Sequence, residues 1–260
     1  MDKSSLGDRM KTYEAVPKIF LTRRTPCIIR LDGKAFHSYT KGFDKPFDND
    51  LMCAMKETMR CLCENIQGCV LGYTQSDEIT LVLCDYQKLD TAAWFDYNVQ
   101  KMVSVSASLA TFKFNQIMST LLIDKCRLKD NPDEEDSFDL KRLEIMKKKI
   151  NKGALFDSRV FSIPKEEVNN CLLWRQQDAT RNSIQSLAQA NFSHKELQGL
   201  SCNKLQDKLM VEKGINWNDL STDKKRGSCC IRVERGWVID NDIPIFSQNP
   251  NYVNSRIVFE

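Results

Sequence analysis

The sequence contains no apolar run approaching the ~18 residues that a helix needs to cross a bilayer, which excludes a helical membrane protein. It has no internal repeat, no low-complexity tract and no Gly/Ser-rich linker, so no change of composition separates it into distant modules. The opening stretch, MDKSSLGDRMKTYEA, lacks the apolar core of a secretory signal. Its Asp2 and Asp8 suit a mitochondrial presequence poorly, so the expected location is the cytoplasm. Histidine is scarce, at 2 residues, His37 and His194. An excess of one charge is lacking too: Lys+Arg 38 against Asp+Glu 35 leaves +3, without the basic surplus of a dedicated nucleic-acid coat. Any polyanion must therefore be held by a local patch.

Cysteine is the exception, with 11 residues. An odd number in a long chain with no export signal argues against a disulfide framework. The nearest approaches to a zinc pattern are Cys61-x-Cys63 and the adjacent pair Cys229-Cys230. Neither supplies two spaced CxxC knuckles, so reduced, largely buried thiols are expected. The remaining composition is globular, 42% hydrophobic and 28% charged. A chain of 260 residues hides roughly three-quarters of its unfolded surface, enough for one large domain or two small ones packed closely.

The first clear element is Pro26-Cys27-Ile28-Ile29-Arg30-Leu31, an apolar run that reads as a buried strand and stops at Asp32-Gly33. Asp48 or Asn49 then caps a helix on which Leu51, Met55, Met59, Leu62 and Ile66 keep helical spacing, and Gly68 ends it. Residues 70–74 and 79–83 form a predicted hairpin with Gln75-Ser76-Asp77-Glu78 between its strands. A second long helix is predicted over about residues 91–118, with Phe95, Val99, Met102, Val103, Leu109 and Phe112 on its apolar stripe. A strand around Ser158–Ile163 completes β-α-β-β-α-β, the split βαβ or ferredoxin-like order. The fold class expected is α+β.

Residues 124–152 interrupt that order with a stretch dense in both signs of charge, read as a solvated insertion or exposed helix. Its Lys147-Lys148-Lys149 cluster also suits an RNA-contacting arm. The region beyond Pro164 to about Leu220 reads as helical, and Cys229–Glu260 as a short hairpin with loops. The expected organisation is a core over 1–123, the insertion over 124–152, and the closing strand, helical region and hairpin over 153–260.

Two carboxylates stand out by placement. Asp32 ends the first strand and Asp77 sits at the hairpin tip, and in a β-α-β-β unit those two points meet at one edge of the sheet. Paired hard oxygens suit Mg²⁺, which takes one or two carboxylates with phosphate oxygens and waters. Gly33, lacking a Cβ, lets the backbone approach an ion or phosphate. Two ions roughly 3.5–4 Å apart form the clamp used in nucleotidyl transfer. The plainer reading is a turn pair and solvated tip acids. Lys45 likewise reads either as a cation for a triphosphate or as a loop lysine. His37 reads as a packing or hydrogen-bonding group, and no base stands near Ser76 to make a nucleophilic triad.

The strings RLDGKAFHSYTKGFDKPFD (Arg30 to Asp48), GYTQSDEITLVL (Gly72 to Leu83), FDSRVFSIP (Phe156 to Pro164) and LLWRQQDATRNSI (Leu172 to Ile184) closely resemble the tRNA-His guanylyltransferase family. The resemblance runs in order from about Leu6 to Leu220. It implies a catalytic palm like that of polymerases and nucleotide cyclases, and Mg²⁺-dependent addition of nucleotides to the 5′ end of tRNA. It implies that Asp32 and Asp77 hold two Mg²⁺ ions with the Gly33 carbonyl, and that Glu78 supports the site as its further catalytic acid. It assigns nucleotide binding to Asp32, Gly33, Lys34, Ala35, Phe36, His37, Ser76 and Asp77, with Lys45 at the triphosphate. Arg30 and Asp48 fall on further motif positions. ATP and GTP or other nucleoside triphosphates are the implied substrates, tRNA the implied partner, and a homotetramer the implied assembly. For tRNA contacts the sequence offers Arg175, Arg181, Lys204 and Lys208, which also read as solvated helix faces.

One departure is informative. Members dedicated to tRNA-His carry a string like HINNLYNT after the WRQ-type motif, whereas Trp174-Arg175-Gln176 here continues as QDATRNSI, with Thr180 at the histidine's place. The sequence resembles the guanylyltransferase-like branch, whose template-directed 3′-to-5′ addition rebuilds truncated tRNAs after ATP activates a 5′-monophosphate. Addition of a single G to tRNA-His is the nearest alternative. A nucleotide cyclase and a non-catalytic tRNA-binding protein are the others; QSDE in place of GGDEF, and the intact acids, stand against them.

Overall fold

The computed structural model describes residues 5–129 and 140–259; the part of the charged stretch over 130–139 lies outside the described residues. Among the described residues the chain builds a six-stranded sheet in the order β4-β1-β3-β2-β5-β6, every neighbouring pair antiparallel. The strands are β1 (Cys27–Gly33), β2 (Cys69–Gln75), β3 (Glu78–Leu83), β4 (Phe156–Ser162), β5 (Ser228–Val233) and β6 (Gly236–Asp240). The first four, with α3 (Asn49–Asn65) and α4 (Val99–Lys129) between them, form the expected ferredoxin-like α+β order. The C-terminal hairpin does not stand apart: β5 pairs with β2 and widens the same sheet.

Pleating divides the strands between two cores. Cys27, Ile29 and Leu31 of β1 face Met55, Met59 and Leu62 of α3 and Phe114 and Met118 of α4. Ile28 faces the opposite way, toward Leu172 of α6 (Val168–Asn191) and Phe246, Val253 and Ile257 of the C-terminal segment. A smaller third core joins the far half of α6 to α8 (Cys202–Lys213) through Ile184, Leu187, Leu205 and Leu209. Gly72 lets α3 lie close on β2: a Cβ there would stand 2.6 Å from Cys63 Sγ and 2.9 Å from Met59 Cγ.

Asp48 caps α3, its carboxylate accepting the Leu51 amide at 3.0 Å. The second long helix starts later than its periodicity predicts. Phe95, Asp96 and Tyr97 have left-handed backbones (φ 50°, 51° and 60°), and the Asn98 side chain caps the helix by accepting from Lys101 N at 3.0 Å. That turn is held from outside, because Leu21 N donates to Tyr97 O and Val99 N to Ile19 O. The buried stripe of α4 is Met102, Ser106, Ala110, Phe114 and Met118, while Phe95 and Phe112 are exposed.

The described part of the charged stretch is not a solvated insertion. The helix α5 (Leu140–Lys152) buries Met146 and packs Ile145 against the main core. Its Arg142 pairs with Asp48 and Asp50 and lies 4.5 Å from the Phe43 ring centre, and Lys149 Nζ donates to Ser38 O at 2.8 Å. Helix α5 thus braces the segment between β1 and α3. The 11 cysteines are all free. No helix among the described residues is long and apolar enough to cross a membrane.

Candidate active site

The end of β1 and the β2–β3 tip meet as the topology requires. Asp32 is the cross-strand partner of Glu78 on one side and of Asp157 on the other. The Gly33 amide donates to the Asp77 carbonyl at 3.0 Å, tying strand end to hairpin tip. Ser76 takes a left-handed turn conformation (φ 49°), and its hydroxyl donates to Asp77 Oδ1 at 3.1 Å. Burial raises the Asp77 carboxyl pKa above its ordinary value, and the nearby Asp32 carboxylate raises it further. A bound cation would relieve the penalty on the Asp77 carboxylate.

The segment after Gly33 is held in place by its own side chains. Phe36 occupies the space a Cβ on Gly33 would need, its Cδ2 only 2.2 Å from that position, so glycine is required here by packing. The Phe36 ring lies 5.2 Å from Tyr39, 5.4 Å from Phe114 and 5.2 Å from Phe156, in offset or edge geometries. Lys34 N donates to Leu155 O at 2.8 Å, and Ala35 is left-handed at φ 54°. A non-glycine residue held this way costs on the order of 1 kcal/mol, sustained by the aromatic cluster behind it.

Beside this corner opens a cavity of about 460 Å³ between the 36–48 segment, the start of α3, the hairpin tip and α6. Phe36, His37, Lys45, Ser76 and Asp77 line it; Asp32, Gly33, Lys34 and Ala35 lie just outside its lining. The sequence reading missed its other wall, where α6 contributes Asn182, Ser183, Ser186 and Gln189. Asn182, Ser186 and Gln189 step by four and three along α6, a signal that could have found that face. Asp48 lines the cavity but is occupied by the Leu51 and Asp44 amides and by Arg142. A second cavity of similar volume, bounded by Arg24, Tyr86 and Lys165, holds none of these acids.

The WRQ string now has a role for each residue. Trp174 lies 5.4 Å from the Arg30 guanidinium and 4.3 Å from that of Arg175. Gln176 donates to Pro244 O and accepts from Phe246 N, both at 2.9 Å, which fastens the C-terminal segment. Arg175, offered for tRNA contact with a solvated helix face as the plainer reading, is buried instead. Its side chain is 9% exposed and is held by Glu78 at 2.6 Å and Asp178 at 2.7 Å. Burial raises the Glu78 carboxyl pKa, and the Arg175 guanidinium offsets only part of that rise. Arg181 is exposed while pairing with Asp178, and Lys204 is exposed. Lys208 is largely covered, pairing with Glu212 at 2.6 Å and lying 4.6 Å from the Phe192 ring centre.

A ferredoxin-like sheet with paired acids at a strand end and a hairpin tip, flanked by a cavity of nucleotide size, defines a palm-type nucleotidyltransferase. Comparison with known proteins narrows the class. A sequence model of tRNAHis guanylyltransferase matches residues 7–164. A bacterial tRNA(His) guanylyltransferase-like protein solved in complex with ATP is 46% identical, with a TM-score of 0.83 over 98% of this chain and 100% of that one. A bacterial guanylyltransferase-like protein in complex with GTP is 41% identical, with a TM-score of 0.77 over 97% and 98% of the two chains. The tRNA(His) guanylyltransferase of Schizosaccharomyces pombe is 27% identical over 245 residues, 88% of this chain and 81% of the relative. The chain belongs to the tRNAHis guanylyltransferase family and is a nucleotidyltransferase.

Proposed function

We propose that this enzyme adds nucleotides to the 5′ end of truncated tRNA in the 3′-to-5′ direction, directed by the opposing template base and dependent on Mg²⁺. The observation that carries the reading is the convergence of Asp32, Gly33 and Asp77 beside the cavity reached by His37 and Lys45. Two carboxylates and a backbone carbonyl are the sparse set of hard oxygens that Mg²⁺ takes when phosphates and waters complete its shell. The raised Asp77 pKa adds that a cation is electrostatically wanted there. Two Mg²⁺ ions, when bound, lower the pKa of an attacking hydroxyl and neutralise charge on the leaving group.

The protein's own groups set the geometry. Asp32, Asp77 and the Gly33 carbonyl hold the ions, and Glu78 supports the hairpin that carries Asp77. Lys45 and His37, which line the cavity, meet the triphosphate, and the backbone of Lys34 and Ala35 follows Gly33 toward it. Asn182, Ser186 and Gln189 of α6 offer hydrogen bonds to the nucleoside. In the reaction, a 5′-monophosphate end attacks ATP and is adenylylated with loss of pyrophosphate. The 3′-hydroxyl of the incoming nucleoside triphosphate then attacks the activated 5′-phosphate and expels AMP. A 5′-triphosphate end skips activation and loses pyrophosphate. The bacterial guanylyltransferase-like relatives bound to ATP and GTP support nucleotides as the substrates.

Thr180 in place of the histidine of the HINNLYNT-type string favours repair over obligate single-G addition. Arg181 and Lys204 are the exposed cations retained for tRNA. The enzyme works in the cytoplasm as a homotetramer. Self-association is supported by α1 (Ser5–Ala15), which buries none of its residues and exposes Leu6, Met10 and Tyr13.

The test is extension of a 5′-labelled tRNA lacking its first nucleotide, with Mg²⁺ and all four nucleoside triphosphates, opposite each template base. Addition that follows the template on any tRNA is the expected outcome. Guanosine addition confined to tRNA-His moves the enzyme to the dedicated activity. A cyclic product from nucleotide alone, or tRNA binding without product, overturns the reading.

A further inference from the structure

Arg175 is out of place for a surface cation and well placed for another task. Its Nε donates to Glu78 Oε1 at 2.6 Å, its Nη2 donates to Asp178 Oδ2 at 2.7 Å, and its guanidinium lies 4.3 Å from the Trp174 ring centre. A planar fork with donors in two directions can serve both carboxylates at once; an ammonium on a flexible stem serves them less well. The side chains of Arg175 and Glu78 are 9% and 12% exposed, so solvent does little to loosen the pair. Asp178 also pairs with Arg181, and the alternation Glu78, Arg175, Asp178, Arg181 runs from the sheet end out along α6.

Glu78 follows Asp77 directly and is the cross-strand partner of Asp32, so both neighbours are proposed metal ligands. Cross-strand partners project to the same face of a sheet. A free Glu78 would therefore be a third carboxylate competing for any cation held by Asp32 and Asp77. Among the described residues, however, no three His, Cys, Asp or Glu side chains converge into a metal-holding group.

We propose that Arg175 is a positioning residue: by engaging Glu78 it keeps that carboxylate out of the metal coordination sphere and locks the metal-bearing hairpin to α6. Helix α6 also supplies Asn182 and Ser186 to the cavity wall, so one ion pair sets the metal acids and the nucleotide wall in a common register. Glu78 is then an anchor, and the ligand set is Asp32, Asp77 and the Gly33 carbonyl. The inference rests on the two-metal reading of this site.

The experiment measures Mn²⁺ binding in the presence of ATP, by calorimetry or electron paramagnetic resonance, alongside kinetics on 5′-truncated tRNA. The parent enzyme is compared with Arg175→Met, Arg175→Lys, Glu78→Gln, Asp32→Asn and the double variant Arg175→Met/Glu78→Gln. Arg175→Met is expected to lower kcat at least tenfold with KM for nucleotide within threefold, and to change Mn²⁺ affinity at least threefold as Glu78 is released toward the ion. Arg175→Lys moves both quantities part of the way back to the parent's. The double variant is no slower than Arg175→Met, because both substitutions break one interaction. Glu78→Gln keeps the parent's Mn²⁺ stoichiometry, whereas Asp32→Asn loses it.

Loss of a metal ion in Glu78→Gln, or parent-like kcat and Mn²⁺ binding in Arg175→Met, overturns the proposal. Should Arg175→Met fail to fold, the near-isosteric Glu78→Gln alone decides the question by its stoichiometry. A parent enzyme that binds no Mn²⁺ with ATP would sink the two-metal reading itself. A parent that binds it, with Asp32→Asn losing it and Arg175→Met indistinguishable from the parent, sinks only the role of Arg175.

Discussion

The Gly33 amide donates to the Asp77 carbonyl at 3.0 Å, so the backbone that ends the first strand is hydrogen-bonded to the tip of the neighbouring hairpin. Each of these residues belongs to the proposed metal site, and their bond fixes the spacing between its two halves. The same glycine lies under the Phe36 ring, which starts the wall of the cavity. The two acids and the cavity are therefore positioned by one short piece of backbone.

Asp32→Asn or Asp77→Asn should reduce addition by a factor on the order of 10³ or more, while tRNA binding stays within a few-fold of the parent. Such a size is what losing a ligand to a charge-neutralising metal would give. Single-turnover rates and a filter-binding isotherm on the same preparations check it. Near-normal turnover in either variant would remove the metal assignment.

Mg²⁺ should stabilise the protein more at neutral pH than at acid pH. The folded-state pKa of Asp77 is raised above its ordinary 3.8 by burial and by Asp32. A carboxyl with a raised folded pKa favours the fold when protonated, so this contribution is lost as pH rises through that folded value. Above it the acids repel, and a bound cation offsets the repulsion. The increment in Tm on adding Mg²⁺ should therefore shrink as pH falls toward 4; an increment independent of pH contradicts repulsion between the two acids as its source.

Lys45→Ala should raise KM for the nucleoside triphosphate or slow activation by roughly tenfold, the scale of losing one charge-assisted hydrogen bond. The Lys45 side chain faces the cavity and makes no protein ion pair among those of the described residues. Initial rates against nucleotide concentration measure it. An unchanged profile would make Lys45 an ordinary loop lysine.

Gly72→Ala should destabilise the fold by about 1–3 kcal/mol, the usual cost of forcing atoms into a filled core. The added methyl carbon would meet Cys63 Sγ at 2.6 Å and Met59 Cγ at 2.9 Å, both on α3. A lower urea midpoint at unchanged m-value is the expected observation. A midpoint equal to the parent's would show that α3 can shift without cost.

Much of this protein is legible without its structure. Apolar runs of strand length and the spacing of Met55, Met59 and Leu62 lead to β-α-β-β-α-β, because hydrophobic periodicity is a local property of the chain. Asp32 and Asp77 are legible because topology alone brings a first-strand end to a β2–β3 tip. The start of the second long helix is not, because Phe95 falls on helical spacing with Val99 and Met102, yet bonds from Leu21 and to Ile19 hold residues 95–97 in a turn. Helix α5 looks solvated because its charges outnumber its apolar residues, yet Arg142 finds Asp48 and Asp50 far along the chain.

Arg175 shows the limit most clearly. On the sequence it is one more cation on a helix, and its partner Glu78 lies 97 residues away. Local composition determined most of the strands and helices, since those choices are made within a few residues, while the turn over 95–97 needed Ile19 and Leu21. Whether a given charge meets solvent, RNA or a buried carboxylate was decided only when α6 crossed the sheet end, because ion pairing depends on distance in space and not along the chain.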